Sequence, residues 1–176
     1  MTVPKGRSIT FVYGLVGHLH WLCFLGTTGS YGEVEQEKIL AFDLGAETFR
    51  EIPPPDSILH HPKIRYHVLG VLGGKLCVMS GVDDGGCEVW VMDEYGLAES
   101  WVKHHVFSQF GCEIYPFGFT SHSEFLFQVG RDDRYGLYDP VAAMTKTFKI
   151  MSNGINITKV VEHVDNLVWV APAEHA

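Results

Sequence analysis

The chain has 176 residues, a length that fits one domain with a sizeable buried core. Hydrophobic residues make up 46% and charged residues 19%, a globular composition, while 12% aromatics and 19 glycines favour sheet and turns over a helix bundle. Lysine and arginine number 13 against 21 aspartates and glutamates, a net charge of −8, which excludes a nucleic-acid backbone or an anionic membrane as default partner.

In chain order, the basic residues of Met1–Thr10 lead into Phe11–Leu25, which Gly14, Gly17, His18 and His20 interrupt. Neither a signal peptide nor a membrane helix is expected there. Apolar runs Ile9–Val16 and Leu19–Leu25 flank Gly17-His18 and predict a hairpin. After the loop Gly26–Glu37, Ile39–Asp43 and Phe49–Ile52 complete four strands, and Pro53-Pro54-Pro55 ends them because proline cannot donate to a ladder. The pattern then repeats. His67–Leu72 and Lys75–Ser80 flank Gly73-Gly74, Asp83-Asp84-Gly85-Gly86 makes a turn, and Val89–Asp93 and Trp101–Lys103 follow. Tyr115–Ser121 and Glu124–Val129 flank His122-Ser123, and after Asp132-Asp133 come Gly136–Asp139 and Phe148–Ile150. Lys159–Val164 and Leu167–Val170, around Asp165-Asn166, open a fourth unit.

Asp43, Asp93 and Asp139 close the third strand of each full unit. An aspartate there accepts backbone N–H bonds and sets the turn, a physical reason for the repeat. Four-stranded units of about 40–50 residues are the signature of propeller blades. The expected fold is all-β, built of repeated four-stranded antiparallel units, as a partial β-propeller of about three blades plus a hairpin. A β-sandwich is the competing architecture. Propellers close with about four to eight blades, so the expectation is one β domain over residues 1–176, truncated on its N-terminal side.

Chemistry-bearing motifs are sparse. Cys23, Cys77, Cys87 and Cys112 form no C-x-x-C pair and are expected as free thiols. His60-His61 and His104-His105 are adjacent pairs, and neighbours on a strand point to opposite faces, so neither pair is expected to share a metal on a strand. His18-Leu19-His20 puts two imidazoles on one face with no evident third ligand. The paired aspartates read as turns, the tryptophans Trp21, Trp90, Trp101 and Trp169 as core between units, and Lys103–His105 as a solvated edge. No nucleophile elbow, P-loop or dinucleotide fingerprint occurs. No catalytic residue, cofactor or metal is expected.

Three stretches carry a resemblance: ILAFDLGAETFREIPPP (Ile39–Pro55), LGVLGGKLCV (Leu69–Val78) and VWVMDEYGLAESWV (Val89–Val102), with weaker echoes at Pro116–Phe127, Tyr138–Pro140 and Val164–Val170. Over residues 11–170 the chain resembles the plant F-box-associated domain, a kelch-like module that follows an F-box. The resemblance implies a substrate-recognition module of a cullin-type (SCF) ubiquitin ligase, in the cytoplasm or nucleus, whose partner is a substrate protein of unknown identity. The F-box, which in that family binds a Skp-type adaptor, is absent before residue 11, so adaptor binding is expected only if an F-box is supplied elsewhere. Propellers bind partners with loops. Loops 26–38, 54–66, 81–87 and 108–114 are therefore the expected surface, with Tyr31, His60, His61 and Phe110 as partner-binding candidates. Two alternatives stand beside this reading: a truncated relative without ligase function, acting as decoy or fragment, and a metal-dependent propeller enzyme, for which no catalytic constellation is visible.

Overall fold

The structure, a computed structural model, describes residues 10–15, 17–25, 36–59, 64–82, 85–107, 113–130 and 133–150. Strands β1 (Thr10–Leu15), β2 (His18–Leu25), β3 (Gln36–Asp43) and β4 (Thr48–Ile52) form one antiparallel sheet in sequence order. A short helix α1 (Asp56–Leu59) leads to a second such sheet of β5 (Ile64–Leu72), β6 (Lys75–Val82), β7 (Gly86–Met92) and β8 (Trp101–Phe107). The third contains β9 (Ile114–Phe119), β10 (Phe125–Val129), β11 (Arg134–Asp139) and β12 (Met144–Lys149). The fold is all-β, made of repeated four-stranded antiparallel meanders. The hairpin expected over 159–170 lies outside the described residues, as do Trp169 and Cys112. Among the described residues no helix is long and apolar enough to cross a membrane.

The turns follow local chemistry. Gly73 and Gly74 both take left-handed φ, 57° and 74°, as a two-residue hairpin with strand-matched twist requires. The first hairpin differs from expectation by one residue: Leu15 pairs with His18, so His18 opens the returning strand and Gly17 (φ 71°) lies in the turn. In the third hairpin the loop is longer than the pair His122-Ser123. The Thr120 N–H donates to the Glu124 carbonyl at 2.9 Å, and Ser123 takes φ 62°.

Asp43 Oδ1 accepts from the N–H groups of Gly45 (2.8 Å) and Ala46 (2.9 Å), and Asp139 Oδ1 accepts from Val141 (2.8 Å) and Ala142 (3.1 Å). The residue before the fourth strand is left-handed in both turns, at Glu47 (φ 53°) and Ala143 (φ 51°). Asp93 departs from this pattern. Seven residues separate it from Trp101, and Ser100 organises them, its Oγ accepting from the Glu94 N–H at 3.1 Å. Asp93 pairs instead with Lys75 at 2.9 Å.

Two cores hold the three sheets together. The first joins Leu22, Ile39 and Ile52 of the first sheet to Leu76, Val78 and Met92 of the second. The second joins Cys77, Met79 and Val89 to Ile114, Phe125 and Phe127 of the third. Alternation along β6 sends Leu76 and Val78 one way and Cys77 and Met79 the other, so the middle sheet is buried on both faces. Each buried aliphatic or aromatic side chain contributes roughly 1.5–3 kcal/mol relative to exposure. Strand β5 touches both β1 and β9, so the first strands of successive sheets are neighbours. Burial falls toward the fourth strand, and every residue of β12 is exposed.

Candidate functional site

Tyr31, His60, His61 and Phe110 all lie outside the described residues. Parts of the loops assigned to them are regular structure: 36–38 belongs to β3, 64–66 to β5, 81–82 to β6 and 86–87 to β7. The three prolines are structural, since Pro54 and Pro55 are buried and the Pro53 carbonyl accepts from Trp101 Nε1 at 2.9 Å, tying the first sheet to the second. In a meander of this order, the turns after each first and third strand lie at one end of the sheets. The proposed loops leave from strand ends on the opposite side, at Leu25, Ile52, Val82 and Phe107.

The side chains with the most chemistry sit in the two seams between sheets. In the first seam, β2 presents His18 and His20 on one face, two residues apart. His18 Nε2 stands 3.3 Å from Asp43 Oδ2. His20 is fully buried, and its Nε2 meets the Tyr95 hydroxyl at 2.7 Å. Tyr95 comes from the long β7–β8 connection of the second sheet. The Arg50 guanidinium lies over its ring, 4.5 Å from the centroid. Gly96 makes room, because a Cβ there would stand 2.6 Å from Arg50 Nη1. The backbone N–H groups of Ala46 and Gly45, with lesser help from His18 and Arg50, hold the Asp43 carboxyl below its ordinary value. The Tyr95 ring packs here against His18, His20 and Arg50, and a separate cavity of about 400 Å³ lies where Pro53–Ser57 meets Trp90 and Trp101. The Tyr95 contacts make this seam a clamp between sheets.

The second seam is open. A groove of about 360 Å³ runs between the second and third sheets. Its walls include Leu72, Val91, Phe107, Phe119, Phe125 and Tyr138, and Lys75, Asp93 and Ser123 stand along it. Phe107 stacks on Phe125 at 4.3 Å with 11° between planes, and meets Tyr138 edge to face at 5.3 Å. His105 packs against Phe107 at 4.3 Å. Such a volume, apolar walls and few polar groups are typical of a binding pocket.

His104 and His105 both border this groove, against the expectation that neighbours on a strand face apart. A bulge is the cause: Trp90 pairs with Lys103 and Val89 with His105, so His104 is the extra residue. Lys103–His105 lies within β8, the last strand of its sheet, and all three residues are exposed. Lys103 Nζ pairs with Glu88 Oε1 at 2.9 Å and lies 5.0 Å from the Trp90 ring centroid. Among the described residues, no group of three or more histidine, cysteine, aspartate or glutamate side chains is placed to hold a metal. Cys77 and Cys87 are free and fully buried, and loss of solvation pushes both thiols well above their ordinary value, so they are neutral and inert at pH 7.

The sequence pattern gave no sign of Tyr95, Arg50 or the groove aromatics as site residues. Arg50 and Tyr95 lie far apart in the chain, and nothing local marks their meeting. One signal was present: the connection after Asp93 is longer than those after Asp43 and Asp139, and it carries a tyrosine.

The chain is similar to two plant proteins. It is 31% identical over 93 residues to F-box protein CPR1 of Arabidopsis thaliana, and 37% identical over 90 residues to F-box protein At3g07870 of the same plant. The matches cover 52% and 51% of this chain but 22% and 20% of those proteins, so the chain spans about one fifth of the length of the curated relatives it matches. No family model matches. The chain is thus homologous, over about half its length, to part of plant F-box proteins.

Proposed function

We propose that the chain is the protein-binding module of an F-box-type subunit of a cullin ubiquitin ligase, with its three sheets serving as successive blades of a kelch-like propeller. The similarity to two F-box proteins carries this reading. The repeated meanders with first strands side by side, and an open aromatic groove between two of them, support it. In this division of labour the sheets hold a substrate protein in the cytoplasm or nucleus. An F-box, supplied by other sequence, holds the Skp-type adaptor.

The test is co-purification with purified Skp-type adaptor. The chain fused behind a grafted F-box is expected to retain adaptor, and the chain alone is not. Ubiquitin transfer is then expected to proteins held by the sheets in the fused form. Adaptor capture by the ungrafted chain would put the adaptor contact in the sheets and overturn the division of labour. A fusion that holds adaptor yet directs ubiquitin to no other protein would favour the decoy reading.

A further inference from the structure

We infer that the groove between the second and third sheets is a socket for a tyrosine side chain presented by a partner protein. The inference deepens the protein-binding reading and rests on it for the kind of partner, but not on the ligase context.

The first seam supplies the template. Strand register makes the two seams comparable. His18 faces Asp43 across β2 and β3, and Cys77 faces Val91 across β6 and β7, which sets Lys75 opposite Asp93. His18 with Asp43 and Lys75 with Asp93 are therefore the same position in successive sheets, and both are paired, at 3.3 Å and 2.9 Å. His20 corresponds to Cys77, and Ala41 to Val91. Against this surface of the first sheet lies an aromatic ring, Tyr95, delivered by the next sheet. Against the same surface of the second sheet lies the open groove.

Loop length explains the difference. Tyr95 rides on the seven residues between Asp93 and Trp101, whereas four residues, Pro140 to Ala143, join Asp139 to Met144. Asp139 ties that turn down through Val141 and Ala142, and the Val141 side chain is 94% exposed. The third sheet has no counterpart of Tyr95 in this turn.

The walls suit a ring better than an aliphatic chain. Phe107, Phe119, Phe125, Tyr138 and His105 pack on one another at centroid distances of 4.3–6.3 Å, so the groove is walled by an aromatic cluster to which a further ring can add. The rim suits a hydroxyl: Lys75, Asp93 and Ser123 carry donors and acceptors there, and the ion pair leaves no net charge to neutralise.

The test is a titration of the full chain with N-acetyl-tyrosinamide, followed by ring-proton chemical shifts. N-acetyl-leucinamide and N-acetyl-phenylalaninamide serve as comparisons. Saturable shifts confined to Phe119, Tyr138 and His105 are expected. Leucinamide should bind about three- to tenfold more weakly, and His105→Ala should weaken tyrosinamide by a similar factor. Replacing Pro140–Ala143 by the sequence of Glu94–Ser100 should bring a tyrosine from within and abolish the titration. Shifts absent at any soluble concentration, shifts scattered away from the groove, or a response to leucinamide or phenylalaninamide equal to that of tyrosinamide would each overturn the tyrosine socket. Because the unaltered chain is titrated directly, the outcome does not depend on whether either variant folds. Loss of the adaptor result would remove the ligase context and leave the titration standing.

Discussion

Tyr95 joins two sheets through a hydrogen bond to buried His20 and a guanidinium over its ring, and Gly96 leaves the room that the guanidinium occupies. At φ +83° an alanine would strain the backbone by about 1–2 kcal/mol, and its Cβ would also push Arg50 off the ring. Gly96→Ala is expected to destabilise the protein by roughly 2 kcal/mol in urea melts. In an Arg50→Ala background the penalty should fall by about 0.5–1 kcal/mol, the ordinary size of an exposed cation–ring contact. Equal penalties in both backgrounds would show that backbone strain alone is at work. The pairing of His20 with Tyr95 spans 75 positions, and residue spacing along one strand carries no trace of it. The shared face of His18 and His20, by contrast, follows from alternation alone, because β2 is regular through both residues.

Among elements, the aspartate turns separate what sequence could reveal from what it could not. Asp43 and Asp139 bond to N–H groups two and three residues ahead, so their role is local and readable. Asp93 has the same position in its strand, but Ser100 organises the turn, and the aspartate is released to an ion pair with Lys75. His104-His105 defeated the alternation rule because a bulge consumed one residue. The Asp43 turn carries a pH signature. Its carboxyl is held low in the folded protein by Ala46 and Gly45, against about 3.9 in an unfolded chain. Above that unfolded value the folded state gains stability from the charge. The gain is lost as pH falls through the lower folded value. Asp43→Asn keeps an oxygen acceptor without the charge. Its melting temperature should lie below that of the native chain at pH 7, and the gap should close as pH drops below about 4. A gap unchanged at pH 3 would place the effect elsewhere.

At the scale of the molecule, the middle sheet bears on both cores. Runs such as Leu76–Met79 and Val89–Met92 are apolar without a solvent face, the pattern of a sheet covered on both sides. The repeat itself was readable because each unit is a local meander. The open second seam was not, because it depends on how far a turn reaches across to another sheet. Cys77 and Cys87 report on this arrangement, since both are buried in the middle sheet and their thiols are held neutral. Neither should react with an aromatic disulfide reagent in the native state. Met79→Ala, which empties a fully buried site of the second core, should cost about 2–5 kcal/mol and speed their labelling together. Labelling of one thiol well before the other would show that the middle sheet opens piecemeal.

The unequal turns after Asp43, Asp93 and Asp139 also bear on how such a chain can change over generations. A few codons inserted or deleted at an exposed bend decide whether a neighbouring seam is stoppered from within or left for an outside guest. The residues that hold the sheets together need not alter. Selectivity in an array of this kind can therefore drift by length variation at its bends, at a rate uncoupled from the slow exchange of core residues, and two relatives with matching interiors can hold entirely different guests.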